Sequence, residues 1–398
     1  MKFNSLYKLF VMNNYDAFEL YYNNRFSSCA TIKFDIIINS YQSFFFYDAA
    51  VMKKCAQIRE LDKIVNDLYF SLPDIAIEQY IRKSLIDEIE YTNQIEGVVS
   101  TRKDINDLIN EIEKKNVRKN RFEGIVKKYL YLSKEEIKIK EPFDIRNLYD
   151  EMLSDEIASA DINNLPDGKI FRKDIVHVYK SSENIVHNGV VPEEKVIDYI
   201  SKSIDILNDE EIDVLIRVSI FHYLFAFIHP FYDGNGRINR FITSYVLNKY
   251  FNRITGFRLS MTIKENLTQY LDAFVHTNDV RNRGDITTFV YEFLDIIYKS
   301  YEKTILYLNE KKSEFGKYVD WLVNCKILSN REKELMNVLI QTSLFGDFGL
   351  TKTQMGEIIE AGATKLNEIL SMLKRKNLLL EMRSGRHFYY KADLSKVL

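Results

Sequence analysis

The chain has 398 residues, of which 46% are apolar, which is long enough for two or three domains with substantial cores. Its 55 Lys and Arg residues nearly balance its 57 Asp and Glu residues, so no global field attracts nucleic acid or anionic lipid. Three widely separated cysteines, an odd number, argue against structural disulfides or a thiolate metal site and favour a reducing, cytoplasmic location.

The first 70 residues are expected to form a helical segment of unassigned role. Their Tyr and Phe clusters indicate core or subunit contacts, with a homodimer left open. The N-terminus lacks an apolar core followed by small residues, so we expect no signal peptide. The stretch IIINSYQSFFFY lies between Asp35 and Asp48 and is shorter than the roughly 20 residues of a spanning helix. We therefore predict no membrane segment.

Residues 71–320 are predicted to form one helical domain. Glycine and proline are sparse, at 14 and 5 residues, and apolar residues recur at three- and four-residue spacing, so the fold class is mainly α. Residues 75–96 should form a long amphipathic helix that stops before Gly97 and carries Glu96 in its last turn. The apolar stripe of this helix consists of Ile77, Ile81, Leu85 and Ile89.

Residues 214–228 are apolar almost all round, which is typical of a helix buried in the middle of a helical domain. Its histidine, His222, is expected to be a core residue. The sequence HPFYDGNGRINR, residues 229–240, follows directly, and apolar residues then recur at helical spacing. The glycines of this sequence should therefore lie at the start of a second helix.

The glycines, asparagine and arginines of this loop predict an anion site. Backbone N–H groups at a helix start are unpaired and positive, and Gly234 and Gly236 let a ligand approach them closely. Asn235 adds a side-chain donor. Arg237 and Arg240, three residues apart, project from one side of the helix and can clamp further phosphate oxygens. The pattern therefore suggests a polyphosphate.

The histidine and the acid of the loop complete a set of groups for nucleotide-dependent group transfer. Asp233 supplies a hard oxygen ligand of the kind that Mg²⁺ accepts when phosphates and water complete its shell. His229 is a natural general base for an incoming hydroxyl. Folding alone requires no such combination within twelve positions, so we predict an active site here.

Residues 326–398 are predicted to hold three short helices followed by a β-hairpin, which resembles a winged helix-turn-helix module. Local positive charge comes from Lys-Arg-Lys at 374–376 and from Arg383, Arg386 and His387. This charge would suit contact with DNA phosphates. Such modules also serve as protein-interaction platforms or packing units, and both alternatives stay open.

The loop sequence resembles the signature of the Fic family, H-x-F-x-[D/E]-G-N-G-R-x-x-R, at every fixed position. The likeness extends more loosely over about residues 75–300. The resemblance implies a helical domain, with a small β-hairpin flap, that transfers AMP from ATP to a Ser, Thr or Tyr hydroxyl of a target protein or of itself. The glycine at 236 favours nucleotidyl transfer, because a kinase branch of this fold has lysine there.

The same resemblance implies a role for each motif residue. His229 would deprotonate the target hydroxyl, Asp233 would hold Mg²⁺ at the α- and β-phosphates, and Phe231 would anchor the loop in the core. The segment Gly234 to Gly236 would make the anion hole, with Asn235 at the α-phosphate. The β- and γ-phosphates would be held by Arg237 and Arg240.

The sequence TNQIEG, which contains Thr92 and Glu96, matches the inhibitory pattern [S/T]-x-x-x-E-[G/N] of the family. The resemblance implies that Glu96 pairs with Arg240 and takes away the guanidinium that should hold the γ-phosphate. The same carboxylate could instead align a water that hydrolyses an AMP–protein bond. The sequence leaves both roles open.

Two flanking segments bear on substrate binding. Residues 179–190 lie where the family carries a flap that binds the target chain as an added strand, and an ordinary surface hairpin is the alternative. Downstream, Leu267 replaces the arginine of the Asn-Arg-x-x-Tyr pattern of the family, so the nucleoside end of the site is left unassigned.

Two hypotheses follow for the whole chain. In the first, it is a self-inhibited protein adenylyltransferase whose C-terminal module recruits a target or senses a signal. In the second, it is a DNA-binding regulator whose Fic domain modifies itself or senses nucleotide. The intact His229, Asp233 and both arginines favour the first hypothesis.

Overall fold

The structure is a computed structural model that describes residues 3–12, 15–115, 120–132, 134–181, 184–384 and 387–397. Helices dominate these residues, and their strands form three separate two-stranded antiparallel sheets, which confirms the mainly α prediction. The elements in chain order are α1 (Leu6–Val11), α2 (Tyr15–Phe26), β1 (Thr31–Ile38), β2 (Tyr41–Phe46), α3 (Ala49–Ser71), α4 (Asp74–Ile95), α5 (Arg102–Glu113), α6 (Glu123–Leu130), α7 (Pro142–Met152), α8 (Ser154–Ala160), β3 (His177–Ser181), β4 (Asn184–Asn188), α9 (Glu193–Asn208), α10 (Val214–Ile228), α11 (Asn235–Tyr250), α12 (Arg253–Gly256), α13 (Leu259–Glu265), α14 (Leu267–Asn278), α15 (Thr287–Asn324), α16 (Asn330–Phe345), α17 (Lys352–Ile358), α18 (Ala363–Arg375), β5 (Leu379–Ser384) and β6 (His387–Ala392).

The chain divides into two compact units. The first comprises Met1–Asp62 and Ile86–Tyr301, and the second comprises Lys63–Leu85 and Glu302–Leu398. These limits differ from the predicted boundaries, because most of the first 70 residues fall in the unit that also holds the motif loop. No helix within the described ranges combines the length and apolarity that a bilayer crossing needs.

The sequence predicted a helical N-terminal segment. This prediction is wrong in part, because β1 and β2 form a hairpin. Burial alternates along β1, and the turn residues Asn39 and Ser40 both have positive φ, at 48° and 73°, as in tight hairpin turns. The apolar run that precedes them can be read as helix or strand, and this turn favours the strand. The segment packs into the first unit, where Arg25 pairs with Asp285 at 2.8 Å with both side chains buried.

The centre of the first unit is α10, which packs against α9 and α11. Its side chains are buried almost throughout, as the sequence predicted. His222 is fully buried and bonds to the Thr243 hydroxyl at 2.8 Å and to the Tyr270 hydroxyl at 2.7 Å. This histidine is therefore a core residue with both ring nitrogens hydrogen-bonded.

The second unit contains α16, α17 and α18 and the β5–β6 hairpin, the predicted order of elements. Whether they make a winged helix-turn-helix and bind DNA stays a prediction. Two of its basic side chains are already paired, Lys374 with Glu381 at 2.7 Å and Lys376 with Glu332 at 2.5 Å. Arg386 and the side chain of His387, also named for DNA contact, lie outside the described part of the chain.

Candidate active site

The loop between α10 and α11 has a backbone that few sequences can adopt. His229, directly after α10, has φ 56° and ψ 63°, and Gly234, directly before α11, has φ 86°. Both lie in the left-handed region, which is unstrained only for glycine and costs other residues about 1–2 kcal/mol. At Gly234 a Cβ atom would also meet the Leu153 side chain at 2.8 Å. The loop therefore brings the histidine back beside the start of the next helix.

Phe231 and Asn235 hold the loop in this shape. The Phe231 ring is fully buried and stacks on the Tyr149 ring, with 4.0 Å between centroids. The Asn235 amide accepts from the Phe231 N–H at 2.9 Å and donates to the Phe231 carbonyl at 2.7 Å. Because the Asn235 side chain is hydrogen-bonded within the loop, the backbone N–H of Asn235 is the donor that remains for an anion. The α-phosphate contact of Asn235 stays a prediction.

One ring nitrogen of His229 is held by the backbone of α10. Its Nδ1 lies 3.3 Å from the Ala226 carbonyl and can donate to it, which leaves Nε2 as the proton acceptor. Burial lowers the pKa of His229 to about 4, against the opposing effects of the Ala226 hydrogen bond and the Glu96 charge. The imidazole is therefore neutral at physiological pH.

Glu96 lies against the start of α11. Its Oε1 accepts from Arg240 Nη2 at 2.8 Å, while Thr92 accepts from Arg240 at its hydroxyl (2.8 Å) and at its carbonyl (3.0 Å). A Cβ atom at Gly236 would stand 2.1 Å from the Glu96 carboxylate, so this approach requires glycine. Burial acts to raise the pKa of Glu96, but the Arg240 charge and hydrogen bond outweigh it and lower that pKa. A charged carboxylate thus occupies the place predicted for phosphate.

Arg237, the other arginine of the motif, is held by an acid that the sequence analysis did not identify. Arg237 is fully buried and donates to Glu156 of α8 at 2.5 Å, and its Nη2 lies 3.6 Å from Asp233. Its Nε and Nη2 make no hydrogen bond among the described residues. Burial raises the pKa of Glu156, against the Arg237 charge. Glu156 lies 81 residues before its partner in an ordinary amphipathic helix, so no local motif marked it.

Replacing Glu156 by alanine is expected to destabilise the protein by about 3 kcal/mol, because it leaves Arg237 as a buried charge with only the distant Asp233 to offset it. Urea unfolding measures this. The matched control is Asp150→Ala, which breaks the partly buried, more exposed pair with Arg146 and should cost about 1 kcal/mol. Equal urea midpoints for the wild type and Glu156→Ala would contradict a stabilising role for the Glu156–Arg237 pair.

Glu88, on α4 and eight residues before Glu96, is fully buried. It accepts from the Ser260 N–H at 2.8 Å, from the Ser260 hydroxyl at 2.5 Å and from the Ser244 hydroxyl at 3.3 Å. Burial raises the pKa of Glu88 to about 7, although these hydrogen bonds and the Arg240 charge oppose the shift. The carboxyl group therefore binds α4 to α11 and α13 and exchanges a proton near neutral pH.

This raised pKa predicts a pH-dependent stability. Between about pH 4.5 and 7 the folded protein binds the Glu88 proton more strongly than the unfolded chain does, so stability falls as pH rises through that window. The fall attributable to Glu88 is on the order of 3 kcal/mol. Glu88→Gln, whose amide fits the rotatable serine hydroxyls, should lose this dependence. The prediction is tested by measuring the urea midpoints of the wild type and of Glu88→Gln at pH 5 and pH 8. Equal changes of the midpoint with pH in the two proteins would refute it.

Asp233 is the carboxylate that remains accessible in the loop. Its side chain is 43% exposed, and its Oδ1 accepts from the Gly234 N–H at 2.5 Å. The described residues contain no cluster of three or more His, Cys, Asp or Glu side chains suited to a metal. A lone carboxylate fits Mg²⁺ only when substrate phosphates supply further ligands.

A cavity of about 350 Å³ lies beside the start of α11. Its polar lining includes His229, Gly236, Arg240 and Glu96. Much of the remaining lining is apolar and aromatic, which suits the flat face of a nucleobase. Leu267, where the family pattern has arginine, belongs to this apolar lining. The apolar lining also contains Ile95, Tyr270, Leu271, Phe274 and Val275.

The fold and the loop define a helical protein in which the start of α11 and His229 line one cavity. Residues 140–247 match the Fic/DOC family, so this part of the chain is similar to that family. A crystal structure of a Fic family protein from Desulfovibrio desulfuricans G20 covers 89% of this chain and 99% of that chain, with a TM-score of 0.53 and 17% identity. That likeness shows a shared fold.

Two curated relatives carry an activity in their names. A protein adenylyltransferase, fic-1, from Caenorhabditis elegans is 31% identical over 142 residues, which are 34% of this chain and 26% of that protein. Its namesake from Caenorhabditis briggsae is 33% identical over 103 residues, 25% of this chain and 18% of that protein. The chain thus matches about a quarter or less of the length of these relatives.

Proposed function

We propose that this protein is a protein adenylyltransferase that moves AMP from ATP to a hydroxyl of a target protein or of itself. The observation that carries the proposal is that one cavity is lined by His229, the start of α11 and Arg240. The names of the relatives agree with this chemistry.

In the proposed reaction, Nε2 of His229 takes the proton of a Ser, Thr or Tyr hydroxyl. The hydroxyl oxygen forms a bond to the α-phosphorus of ATP as the bond to the bridging oxygen breaks, which releases pyrophosphate. The N–H groups from Asn235 to Arg237 receive the phosphate charge. Mg²⁺ held at Asp233 would neutralise part of the polyphosphate charge when bound.

Arg240 would hold the γ-phosphate, and Glu96 occupies it at 2.8 Å, so the resting protein is proposed to be self-inhibited. Arg237, whose Nε and Nη2 make no hydrogen bond within the described ranges, would take the β-phosphate. A water-aligning role for Glu96 in AMP removal uses the same carboxylate and stays a second candidate.

The β3–β4 hairpin is the proposed docking edge for the target chain, because an exposed strand edge can accept an added strand. Its residues 182–183, part of the predicted flap 179–190, lie outside the described part of the chain.

The proposal is tested by incubating the protein with ATP labelled on the α-phosphate and, in parallel, on the γ-phosphate, with Mg²⁺ and cell extract as target source. Transfer of the α-label alone to protein supports AMP transfer. Transfer of the γ-label would make the protein a kinase of this fold. ATP binding without transfer of either label would favour the nucleotide-sensing DNA regulator, which a gel shift with the full-length chain then tests.

A further inference from the structure

Arg172, between α8 and β3, has a guanidinium that bonds only to backbone carbonyls in the described structure. The residue is fully buried. Nε donates to the His229 carbonyl at 2.8 Å, and Nη2 donates to the carbonyls of Val190 at 2.9 Å and Ile228 at 3.3 Å. Nη1 donates to the Asp174 carbonyl at 2.5 Å. One planar side chain therefore joins the end of α10, the His229 carbonyl and Val190, the last residue of the flap.

The flap itself supplies the other contacts to the end of α10. The Val190 N–H donates to the Ile228 carbonyl at 3.0 Å. His187, in β4, bonds through Nε2 to the Phe227 carbonyl at 2.6 Å and stacks on the Phe227 ring. The last carbonyls of a helix lack partners within the helix and carry its negative dipole charge. A cation and two flap residues satisfy them here.

These contacts explain why His229 keeps its left-handed backbone conformation. A non-glycine residue persists there only when its surroundings over-determine it. The Arg172 backbone adds a further hydrogen bond to the loop, from its N–H to the Pro230 carbonyl at 3.2 Å. The guanidinium fork presents its donors in a fixed plane, so lysine cannot reproduce the set.

We propose that Arg172 is a positioning residue that fixes His229 relative to the β3–β4 hairpin, so that a chain added to the hairpin edge presents its hydroxyl to Nε2. The inference rests on the proposed AMP transfer. Arg172 touches neither substrate in this scheme and acts through His229. A displacement of about 1 Å in a reacting group can lower a rate about 10²-fold.

The kinetic test uses the full chain carrying Glu96→Gly, with Arg172→Ala and Arg172→Lys added separately. We expect kcat for α-label transfer to fall about 10²-fold and about 10-fold respectively, with KM for ATP changed less than about threefold. Guanidinium ion in the buffer should partly restore Arg172→Ala and leave Arg172→Lys unchanged. A loss confined to KM for ATP, or an unchanged kcat, would overturn the proposal.

The matched control is Arg217→Lys. Arg217 is also buried and donates to a backbone carbonyl, that of Asp209, but it lies in the first turn of α10, away from the loop. Its kcat should stay within about twofold of the parent. A loss equal to that of Arg172→Lys would mean that any buried arginine in this part of the fold affects kcat, and the specific role of Arg172 would fall.

Hydrogen exchange gives a readout that does not need activity. Arg172→Ala should speed exchange in peptides spanning 187–192 and 226–234 and leave α16 unchanged, because the hydrogen bonds that tie flap to loop are lost. Unchanged exchange in those peptides would overturn the proposed tie. If the Glu96→Gly parent transfers no label, the proposed function fails, and the exchange result still decides whether Arg172 joins flap and loop.

Discussion

Replacing Glu96 by glycine is expected to raise the rate of AMP transfer by about 10- to 100-fold. In the resting protein the Glu96 carboxylate accepts from Arg240 Nη2 at 2.8 Å and lies within 2.1 Å of where a Cβ at Gly236 would stand. A hydrogen bond between charged groups contributes about 1.5–3 kcal/mol, and each 1.4 kcal/mol corresponds to tenfold. Removing the carboxylate makes both Arg240 and the start of α11 available to bind the triphosphate.

The measurement is the initial rate of α-label transfer at fixed ATP and Mg²⁺. Gln94→Gly is the matched control, since it adds the same backbone freedom to an exposed position two residues earlier in α4. Glu96→Gln, which removes the charge and keeps the volume, should give an intermediate rate. If Gln94→Gly activated as strongly as Glu96→Gly, loosening of the helix and not release of Arg240 would be the cause.

The motif loop was predictable because its chemistry is local. His229, Asp233, both glycines and both arginines lie within twelve positions, so their spacing along one loop and one helix start determines most of their arrangement. Glu96 was found only through its resemblance to an inhibitory pattern. Apolar residues almost all round predicted α10, and an apolar stripe predicted the long helix that ends beside Glu96, because such surfaces are stable only when buried.

The tertiary partners of the loop were not predictable in this way. Glu156 lies 81 positions from Arg237, Glu88 lies 156 positions from Ser244, and Arg172 lies 57 positions from His229. Each stands in a sequence that reads as ordinary helix or loop. Only the fold brings them to the site. The β1–β2 hairpin was missed for another reason, since a run of isoleucines and phenylalanines fits a buried helix and a strand equally well.

Replacing His229 is expected to lower the rate of AMP transfer by about 10²- to 10⁴-fold, the usual contribution of a positioned general base. The residue occupies a left-handed backbone position, so alanine would add strain to the loss of the base. Asparagine tolerates that conformation and cannot act as the base, which makes His229→Asn the sharper variant. Rates are measured in the Glu96→Gly background, with ATP binding followed separately to show that the anion site persists.

The pH dependence of kcat/KM identifies the base. With the pKa of His229 lowered to about 4, the imidazole is unprotonated from pH 6 upward, so the rate should be flat through neutrality and fall only as pH drops towards 4. The Glu96 charge raises that pKa, so the Glu96→Gly background should move the acid limb further down and not up. An acid limb near 6.5, the ordinary value for histidine, would mean that the base is an exposed imidazole elsewhere. His229→Asn should abolish the acid limb together with the rate, because both belong to the same nitrogen.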